Sequence, residues 1–404
     1  MADTIELDAD FAQDPHSLYD RLRTEAPVYQ VMRPDGVRAW LVTRYADALA
    51  LLNDPRLTTD ASRALAQFEA DRARPFDAAV FKNMLQSDPP EHTRLRRLVA
   101  KAFTSRAVER MQHHIEAIAD ELLDNIDCCD ATVPVDLVAG YAAPLPVRVI
   151  CEMLGMPAHY ADRFRSAFHP LLNIATHAEK AAAERDTIEV LNDVVEYKRQ
   201  VPGADLLTSL IGASSDGDRL SHPELVAMAF LLITGGHETT VHLIANSVLA
   251  LLDNPSQLGA VREDPSLIPN VIEEVLRFDG PANIAITRYT TADVTVGDVV
   301  IPRSEVVLIA LHSANRDGDQ FDNADHFDVT RSTRGHLGFG HGIHRCLGAS
   351  LARMEGATAL RRLLDRYDHI ELDRTKPLRY QDSINIHGVA ALPVWLPQHD
   401  RISS

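Results

Sequence analysis

The chain has 404 residues, of which 46% are hydrophobic, and its formal net charge at pH 7 is −18. The length allows two or three domains, although large single domains also reach it. The negative charge argues against nucleic acid and against an anionic membrane surface as partners. Residues 1–6 lack the basic and then apolar order of a signal peptide, and the longest notable apolar run, 225–233, is too short to span a bilayer. We therefore expect a soluble, cytoplasmic protein.

The first half of the chain combines one β-hairpin with helices. Residues 28–43 are expected to form the hairpin, because Pro-Asp-Gly at 34–36 has turn chemistry. The pattern of apolar residues then predicts helices over 92–103, 107–126 and 187–198. The intervening stretches 60–90 and 157–180 lack periodicity, so they are expected to be loops or short helices, and loops of that length often bind ligands.

The helix predicted over 92–103 has three distinct faces. One face is apolar and faces the core, and His92 and Arg96 lie beside it. The opposite face is basic and consists of Arg94, Arg97 and Lys101. Taken alone, this pattern is typical of a charged amphipathic surface helix.

A long helix is predicted from the capping box at 221–224 to about Leu252. Gly235 and Gly236 interrupt it, and each costs about 1 kcal/mol relative to alanine. The Thr239 hydroxyl can bond the Gly235 carbonyl and open the helix locally, beside the ionisable Glu238. Such a gap can bind O₂ and pass protons to it, although the glycines can also serve only close helix packing.

A zinc hydrolase motif is the other interpretation of this segment, since His237 and Glu238 begin an H-E-x-x-H-like string. The next histidine is His242, five residues after His237. Five helical residues turn the side chain by about 500°, so the two imidazoles diverge by about 140°. They cannot share a metal on one helix face.

The second half adds a helix, a β-rich stretch and a cysteine loop. Residues 271–277 predict a helix that ends at Asp-Gly-Pro 279–281, with Glu274 and Arg277 paired on one face. Residues 293–310 carry valine and isoleucine in an alternating pattern, so they are expected to form strands. The chain is therefore expected to be mainly α with a small β part.

Cys346 lies in a glycine-rich loop, 339–348, ahead of a helical pattern that runs to about Arg366. The helix dipole, backbone N–H groups and Arg345 favour the thiolate there. Gly340, Gly342 and Gly348 leave room for a planar group to pack against the backbone. A thiolate held in this way suits an axial ligand of haem iron. Cys128, Cys129 and Cys151 are interpreted as structural, since four cysteines in so long a chain do not indicate a disulfide framework.

The loop matches F-x-x-G-x-x-x-C-x-G and the central helix matches G-x-[DE]-T at 236–239, so the chain resembles the cytochrome P450 family. The resemblance extends from the hairpin to about residue 389 and implies one domain over 1–404, with haem b between the long helix and the cysteine loop. It implies that Cys346 is the iron ligand and that Glu238 and Thr239 activate oxygen. The residues implied to shape the haem pocket are Gly235, Gly236, Phe339, Gly340 and Gly348.

The resemblance implies further roles. His92, Arg96, Arg288 and His344 match the family's partners of the haem propionates. Glu274 and Arg277 match a buried pair that braces the loop before the cysteine. The segment 321–331 usually supplies a third partner, but here Ala324 replaces the usual proline and His326 stands where arginine is common, so the brace is expected to be weaker or differently built.

The function implied is a haem-thiolate monooxygenase. It would use O₂ and two electrons from a ferredoxin and its NAD(P)H-dependent reductase to hydroxylate or epoxidise a hydrophobic molecule, as soluble actinobacterial members do with macrolides, polyketides or steroid-like compounds. We expect a monomer. The pocket walls implied by the resemblance are Phe81, Met84, Leu85, Leu231, Leu232, Ile284, Ile286 and Ile386. The cations expected to meet the acidic ferredoxin are Arg94, Arg97, Lys101, Arg345 and Arg353.

Two alternatives stay open at this point. A haem-thiolate enzyme can use peroxide, or couple rather than hydroxylate, although the Glu238–Thr239 pair favours the use of O₂. A haem-binding sensor or carrier is the alternative of another class. It would normally have a DNA-binding or signalling domain, and the sequence leaves no segment for one.

Overall fold

The computed structural model describes residues 5–64, 83–130, 132–172, 177–215 and 217–396. In this part of the chain sixteen α-helices occur, namely α1 (Ala9–Gln13), α2 (Pro15–Glu25), α3 (Tyr45–Leu52), α4 (Ala61–Ala64), α5 (Glu91–Ala102), α6 (Ser105–Glu109), α7 (Gln112–Asp127), α8 (Pro144–Met153), α9 (Ala158–Leu172), α10 (His177–Gln200), α11 (Leu206–Gly212), α12 (His222–Asp253), α13 (Pro255–Glu263), α14 (Ile268–Phe278), α15 (Leu311–Asn315) and α16 (Ala349–Arg366).

The strands are short, and those in the described residues are β1 (Ile5–Glu6), β2 (Val28–Met32), β3 (Arg38–Val42), β4 (Leu57–Thr58), β5 (Val135–Asp136), β6 (Ser214–Ser215), β7 (Asp218–Arg219), β8 (Arg288–Thr290), β9 (Val294–Val296), β10 (Val299–Ile301), β11 (Val306–Ile309), β12 (Glu371–Leu372) and β13 (Pro393–Trp395). Three-residue 3₁₀ turns lie at Met84–Gln86, Pro265–Leu267 and Gly342–His344, and a π-helical turn at Val138–Ala142. The chain is therefore mainly helical with a small β part, as the sequence predicts.

The chain divides into two compact units. The first comprises Met1–Leu65, Ile115–Leu145 and Thr239–Ser404, and the second comprises Ala66–His114 and Pro146–Glu238. The expectation of one domain over 1–404 stays a prediction.

The first unit is built on a six-stranded sheet of order β1-β2-β3-β11-β8-β4. Strands β2 and β3 form the predicted antiparallel hairpin, and Gly36 in its turn has a φ of 74°, which glycine adopts without strain. Strand β11 lies parallel to β3 and antiparallel to β8, so Arg288 enters the sheet beside Val307. Two hydrophobic clusters surround this sheet, one containing Val42 and Ile309 and the other Tyr19 and Leu308.

Helices α14 and α16 pack on each other in the same unit. A Cβ on Gly356 would lie only 3.1 Å from Ile272 Cδ1, so a glycine lets α16 approach α14 closely. The two smaller sheets of this unit are β9 with β10, and β12, β13 and β5.

The second unit is helical, with only the β6–β7 ribbon as sheet in its described residues. Helices α9 and α10 pack along each other, and Arg163 on α9 pairs with Asp193 on α10 at 2.6 Å. Arg94 on α5 joins three segments by pairing with Glu91, with Asp218 on β7, and with Glu224 in the first turn of α12.

Several element boundaries differ from those the sequence predicts. The helix expected over 107–126 is two helices, α6 and α7, and the one expected over 187–198 begins ten residues earlier. The stretch expected to be loops or short helices over 157–180 contains the fifteen-residue α9 and the start of α10, so that expectation is wrong for most of its length. Its counterpart at 60–90 lies largely outside the described residues, which show only α4 and a 3₁₀ turn there. Among the described residues, no helix combines the length and apolar character needed to cross a bilayer.

Candidate functional site

Cys346 lies three residues before α16, in a loop whose path depends on glycine. Gly340 and Gly342 have φ angles of 66° and 71°, in the region that other residues rarely adopt. The Cys346 N–H donates to the Phe339 carbonyl at 2.9 Å, which closes the loop on itself. Cys346 itself is exposed, so the loop holds its main chain while its thiol stays accessible.

The loop is shaped around neighbouring elements of the first unit. A Cβ on Gly342 would lie 2.8 Å from the Leu52 carbonyl oxygen at the end of α3. A Cβ on Gly338 would lie 2.5 Å from the Leu276 carbonyl oxygen on α14. Any side chain at either position would push the loop away from these helices. The glycines therefore fix where the cysteine is presented.

An ion pair next to the loop holds Phe339 in place. The Arg353 guanidinium lies over the Phe339 ring, 4.6 Å from its centroid, and its Nη2 donates to Glu273 at 2.9 Å. His336 Nε2 lies 3.1 Å from the same carboxylate. Burial raises the pKa of Glu273, but the hydrogen bonds from His336 and Arg353 outweigh burial and lower that pKa to about 2. The carboxylate is therefore charged at neutral pH and ties α14 to the start of α16.

Glu274 and Arg277 form the buried pair that the sequence predicts. Arg277 Nε and Nη2 each donate to Glu274 at 2.7 Å, and the side chains are 0% and 1% exposed. Arg277 Nη1 also donates to the carbonyls of Asn315 at 3.0 Å and Ala324 at 2.7 Å. The pair therefore fixes two loops that precede the cysteine in the chain.

The third member of the brace is Arg331, which no sequence pattern marks. Its Nε lies 3.3 Å from Glu274 Oε1, and its Nη2 donates to the carbonyls of Asn323 at 2.9 Å and His326 at 3.1 Å. His326 contributes its main-chain carbonyl to this contact, and the residue itself is exposed. The brace is built differently, as expected, because its arginine lies five residues after His326.

The residues expected to meet the haem propionates lie in both units. In the first, Arg288 is 3% exposed on β8 and donates to the Ile286 carbonyl at 3.1 Å, and His344 is half-buried in the 3₁₀ turn before Cys346. In the second, His92 is buried and Arg96 half-buried on α5. A shared role for these four residues stays a prediction.

Helix α12 contains the glycine pair and the acid–alcohol pair. It is continuous from His222 to Asp253, about 48 Å at 1.5 Å per residue. Gly235 is exposed and Gly236 half-buried, and a Cβ on either would meet no described atom within 4 Å beyond the backbone of its own helix. Glu238 and Thr239 are half-buried. Thr234 makes a bond to the carbonyl four residues back, Phe230, at 2.9 Å, and the corresponding bond from Thr239 to Gly235 stays a prediction.

The expected substrate contacts receive mixed support. Met84 and Leu231 are buried, and the half-buried ones are Leu85, Leu232, Ile286 and Ile386. Ile284 is 4% exposed and belongs to the hydrophobic cluster under the sheet, with an isolated bridge to Ala310. Its place in the pocket wall stays a prediction. Phe81 lies outside the described residues.

Among the cations expected to meet an electron donor, Arg94 and Arg353 take part in well-defined ion pairs. Arg94 has three carboxylate partners, whose hydrogen bonds outweigh burial and raise the pKa of the guanidinium. Arg353 is paired with Glu273. Their charges are largely compensated. Arg97, Lys101 and Arg345 are exposed. A role of these five cations in meeting an electron donor stays a prediction.

The sequence matches a known protein family and several known proteins. Residues 146–391 match the family model described as Cytochrome P450. The chain is 46% identical to Cytochrome P450 107B1 of Saccharopolyspora erythraea, over 98% of both chains. It is 42% identical to 6-deoxyerythronolide B hydroxylase of the same organism, over 98% of this chain and all of the other, and 45% identical to Vitamin D(3) 25-hydroxylase of Pseudonocardia autotrophica, over 95% and 94%.

A solved structure is similar as well. The ligand-free P450 monooxygenase TamI superimposes with a TM-score of 0.90 at 45% sequence identity, covering 98% of this chain and 95% of the other.

Proposed function

The chain belongs to the cytochrome P450 family, and on this basis we propose that Cys346 holds the iron of its haem while Glu238 and Thr239 deliver protons during the oxidation of a hydrophobic natural product. The protein is a cytochrome P450 monooxygenase, and its cofactor is haem b. The observation that supports the role of Cys346 most directly is its exposed position in a loop held by glycines and by the bond between its own N–H and the Phe339 carbonyl.

The residues present fit a haem group chemically. Haem has an iron that accepts a thiolate ligand and two propionates that need cations or donors when buried. Cys346 supplies an accessible thiol, and the glycines beside it leave the backbone bare. Arg288 supplies a guanidinium on β8 that is 3% exposed, a type of group that suits a buried propionate. We assign His92, Arg96 and His344 to the propionates with it.

Bound haem supplies the chemistry that activates oxygen and oxidises the substrate. The protein's part is to orient the substrate, exclude water and move protons. Gly235 and Gly236 leave space beside α12, and the Glu238 carboxyl and Thr239 hydroxyl follow at once in the sequence. An acid and an alcohol in this order can pass a proton by hydrogen bonds. Phe339, Gly340 and Gly348 shape the other side of the cofactor.

The substrate that we propose is a polyketide or macrolide, or a steroid- or terpenoid-like compound, which is hydroxylated or epoxidised. The expected wall residues are all apolar, which favours an uncharged hydrophobic ligand over a sugar or nucleotide. Two relatives are named for the hydroxylation of 6-deoxyerythronolide B and vitamin D(3). We further propose a cytoplasmic monomer that receives electrons from a ferredoxin and an NAD(P)H-dependent reductase.

The role of Cys346 is tested by the spectrum of the ferrous–CO complex in Cys346→Ser. Serine keeps the size of the side chain but removes the thiolate, so the red-shifted Soret band of thiolate ligation should disappear. Cys129→Ser, an exposed cysteine outside the loop, should leave the band unchanged. An unaltered band in Cys346→Ser would contradict the assignment.

The substrate class and the oxidant need two further measurements. A panel of macrolides, polyketides and steroids should include compounds that shift the Soret band of the ferric protein, since entry of a ligand displaces iron-bound water. Product formation should then require O₂, ferredoxin, reductase and NADPH. Faster turnover with hydrogen peroxide alone would favour the peroxide-using alternative.

A further inference from the structure

A cluster of histidines and one aspartate lies in the first unit, away from the cysteine loop in the sequence. His16 is the second residue of α2, Asp279 caps the C-terminus of α14, and His387 lies in the loop before β13. One nitrogen or oxygen from each of the three lies within 4.8 Å of those of the others. The fold therefore brings together three metal-ligating side chains that are far apart in the chain.

The distances within the cluster are compatible with one shared metal ion. His16 Nε2 lies 3.3 Å and His387 Nε2 lies 3.4 Å from the same oxygen, Asp279 Oδ1. The first contact is a long hydrogen bond, just beyond the 2.7–3.2 Å range typical of N–H···O bonds. Ligands at about 2.0–2.1 Å from a tetrahedral zinc ion are separated from each other by roughly 3.3–3.4 Å. The spacing of the three atoms matches two edges of such a tetrahedron.

The backbones that present two of these ligands are fixed. Asn246 Nδ2 on α12 donates to the carbonyl of Asp279 at 2.9 Å and to that of His387 at 3.2 Å. The His387 N–H also donates to the Pro281 carbonyl at 2.9 Å. Ligands held in this way are preorganised, which metal sites generally require of the residues around them.

The site is also open to an ion from solvent. The His16 and Asp279 side chains are 17% and 16% exposed, which leaves a route for an ion from solvent.

A third imidazole lies beside the cluster. His312 on α15 stacks on His16 with ring centroids 5.3 Å apart, and lies edge to face with His387 at the same distance. Its Nε2 contacts the Gly280 carbonyl, whereas its buried Nδ1 has no hydrogen-bond partner. These ring contacts hold the imidazoles of His16 and His387 in place.

We propose that His16, Asp279 and His387 bind one divalent transition-metal ion, with zinc the best match to two imidazoles and a carboxylate. This ion is separate from the haem iron. Its ligands come from α2, the C-terminal end of α14 and the loop before β13. A water molecule would complete the coordination. The bound ion would join α2 and the loop before β13 to α14, and so stabilise the first unit.

The test uses the untagged, haem-loaded protein after treatment with a chelator. Equilibrium dialysis against ZnCl₂ with elemental analysis should give one zinc per chain and a raised melting temperature. His16→Gln, on the half-buried N-terminal helix, should weaken zinc binding at least about tenfold. His369→Gln should change nothing, because His369 is 74% exposed beside Glu371.

His387 is 4% exposed, so His387→Gln is informative only if the Soret spectrum and melting curve without zinc match those of the wild type. X-ray absorption at the zinc edge of the wild-type protein avoids this difficulty, and it should show two imidazole ligands. No zinc bound by the wild type, equal binding by His16→Gln, or a zinc environment without imidazole would overturn the proposal.

Discussion

Arg277 donates two parallel hydrogen bonds of 2.7 Å to Glu274, and both side chains are almost completely buried. A buried charge that loses its partner costs about 3–5 kcal/mol. We therefore expect Arg277→Met to lower the free energy of unfolding by that amount, which urea titration followed by circular dichroism can measure. Arg374 makes an exposed ion pair with Asp253, so Arg374→Met should cost less than ~1 kcal/mol. Equal losses of unfolding free energy in the two variants would show that burial does not make the Arg277–Glu274 pair more important than an exposed one.

Arg331, and not the side chain of His326, completes the brace. Arg331→Met removes a cation from Glu274 and the donors to two loop carbonyls, so it should lower the melting temperature and speed the loss of haem to apomyoglobin. His326→Ala should leave both quantities unchanged within error, because the contact of His326 is made by its main chain. The reverse order of effects would contradict this assignment.

The local turns and the cysteine loop could be predicted from the sequence because their chemistry is local. Pro34-Asp35-Gly36 specifies a turn by itself, and the glycines around Cys346 indicate a close-fitting loop. The break between α6 and α7 falls at Arg110 and Met111, where no glycine or proline marks it and apolar periodicity continues. The pattern therefore predicts one helix where the structure has two.

The missed features depend on contacts between distant segments. Helix α9 buries Phe164 and Phe168 by packing with α10, and a stretch read alone shows no such partner. Arg331 acts through main-chain carbonyls, which no sequence pattern marks.

Arg97 and Lys101 are exposed on α5. Reversing both exposed charges should slow the first electron transfer from ferredoxin at low salt, and the effect should fade as salt rises. The matched control is Arg303→Glu with Lys376→Glu, which changes the net charge equally at exposed positions elsewhere. Stopped-flow reduction that is slowed equally in both variants would indicate an effect of overall charge only.

The ion pair of Glu273 predicts a specific acid sensitivity. The carboxyl pKa falls from an ordinary value near 4.5 to about 2 in the folded protein, so its stabilisation is complete above about pH 4.5 and is lost as the pH falls through 2. Because the group is partly exposed, we expect about 1–2 kcal/mol at pH 7. The stability difference between wild type and Glu273→Gln should fall below half by about pH 3, while Glu371→Gln at an exposed site should show no such trend. A difference that is independent of pH would contradict the role of the charge.

The hydroxyl of Thr239 is the last group for which the sequence makes a sharp prediction. If it handles protons next to Glu238, Thr239→Ala should still bind haem and substrate with unchanged Soret shifts. NADPH would still be consumed, but electrons would be lost to hydrogen peroxide, and product per NADPH should fall roughly tenfold or more. Thr239→Ser restores the hydroxyl and should restore most of the coupling, which a change of packing alone would not do. Equal product per NADPH in Thr239→Ala and the wild type would remove this residue from proton delivery and leave Glu238 to be tested alone.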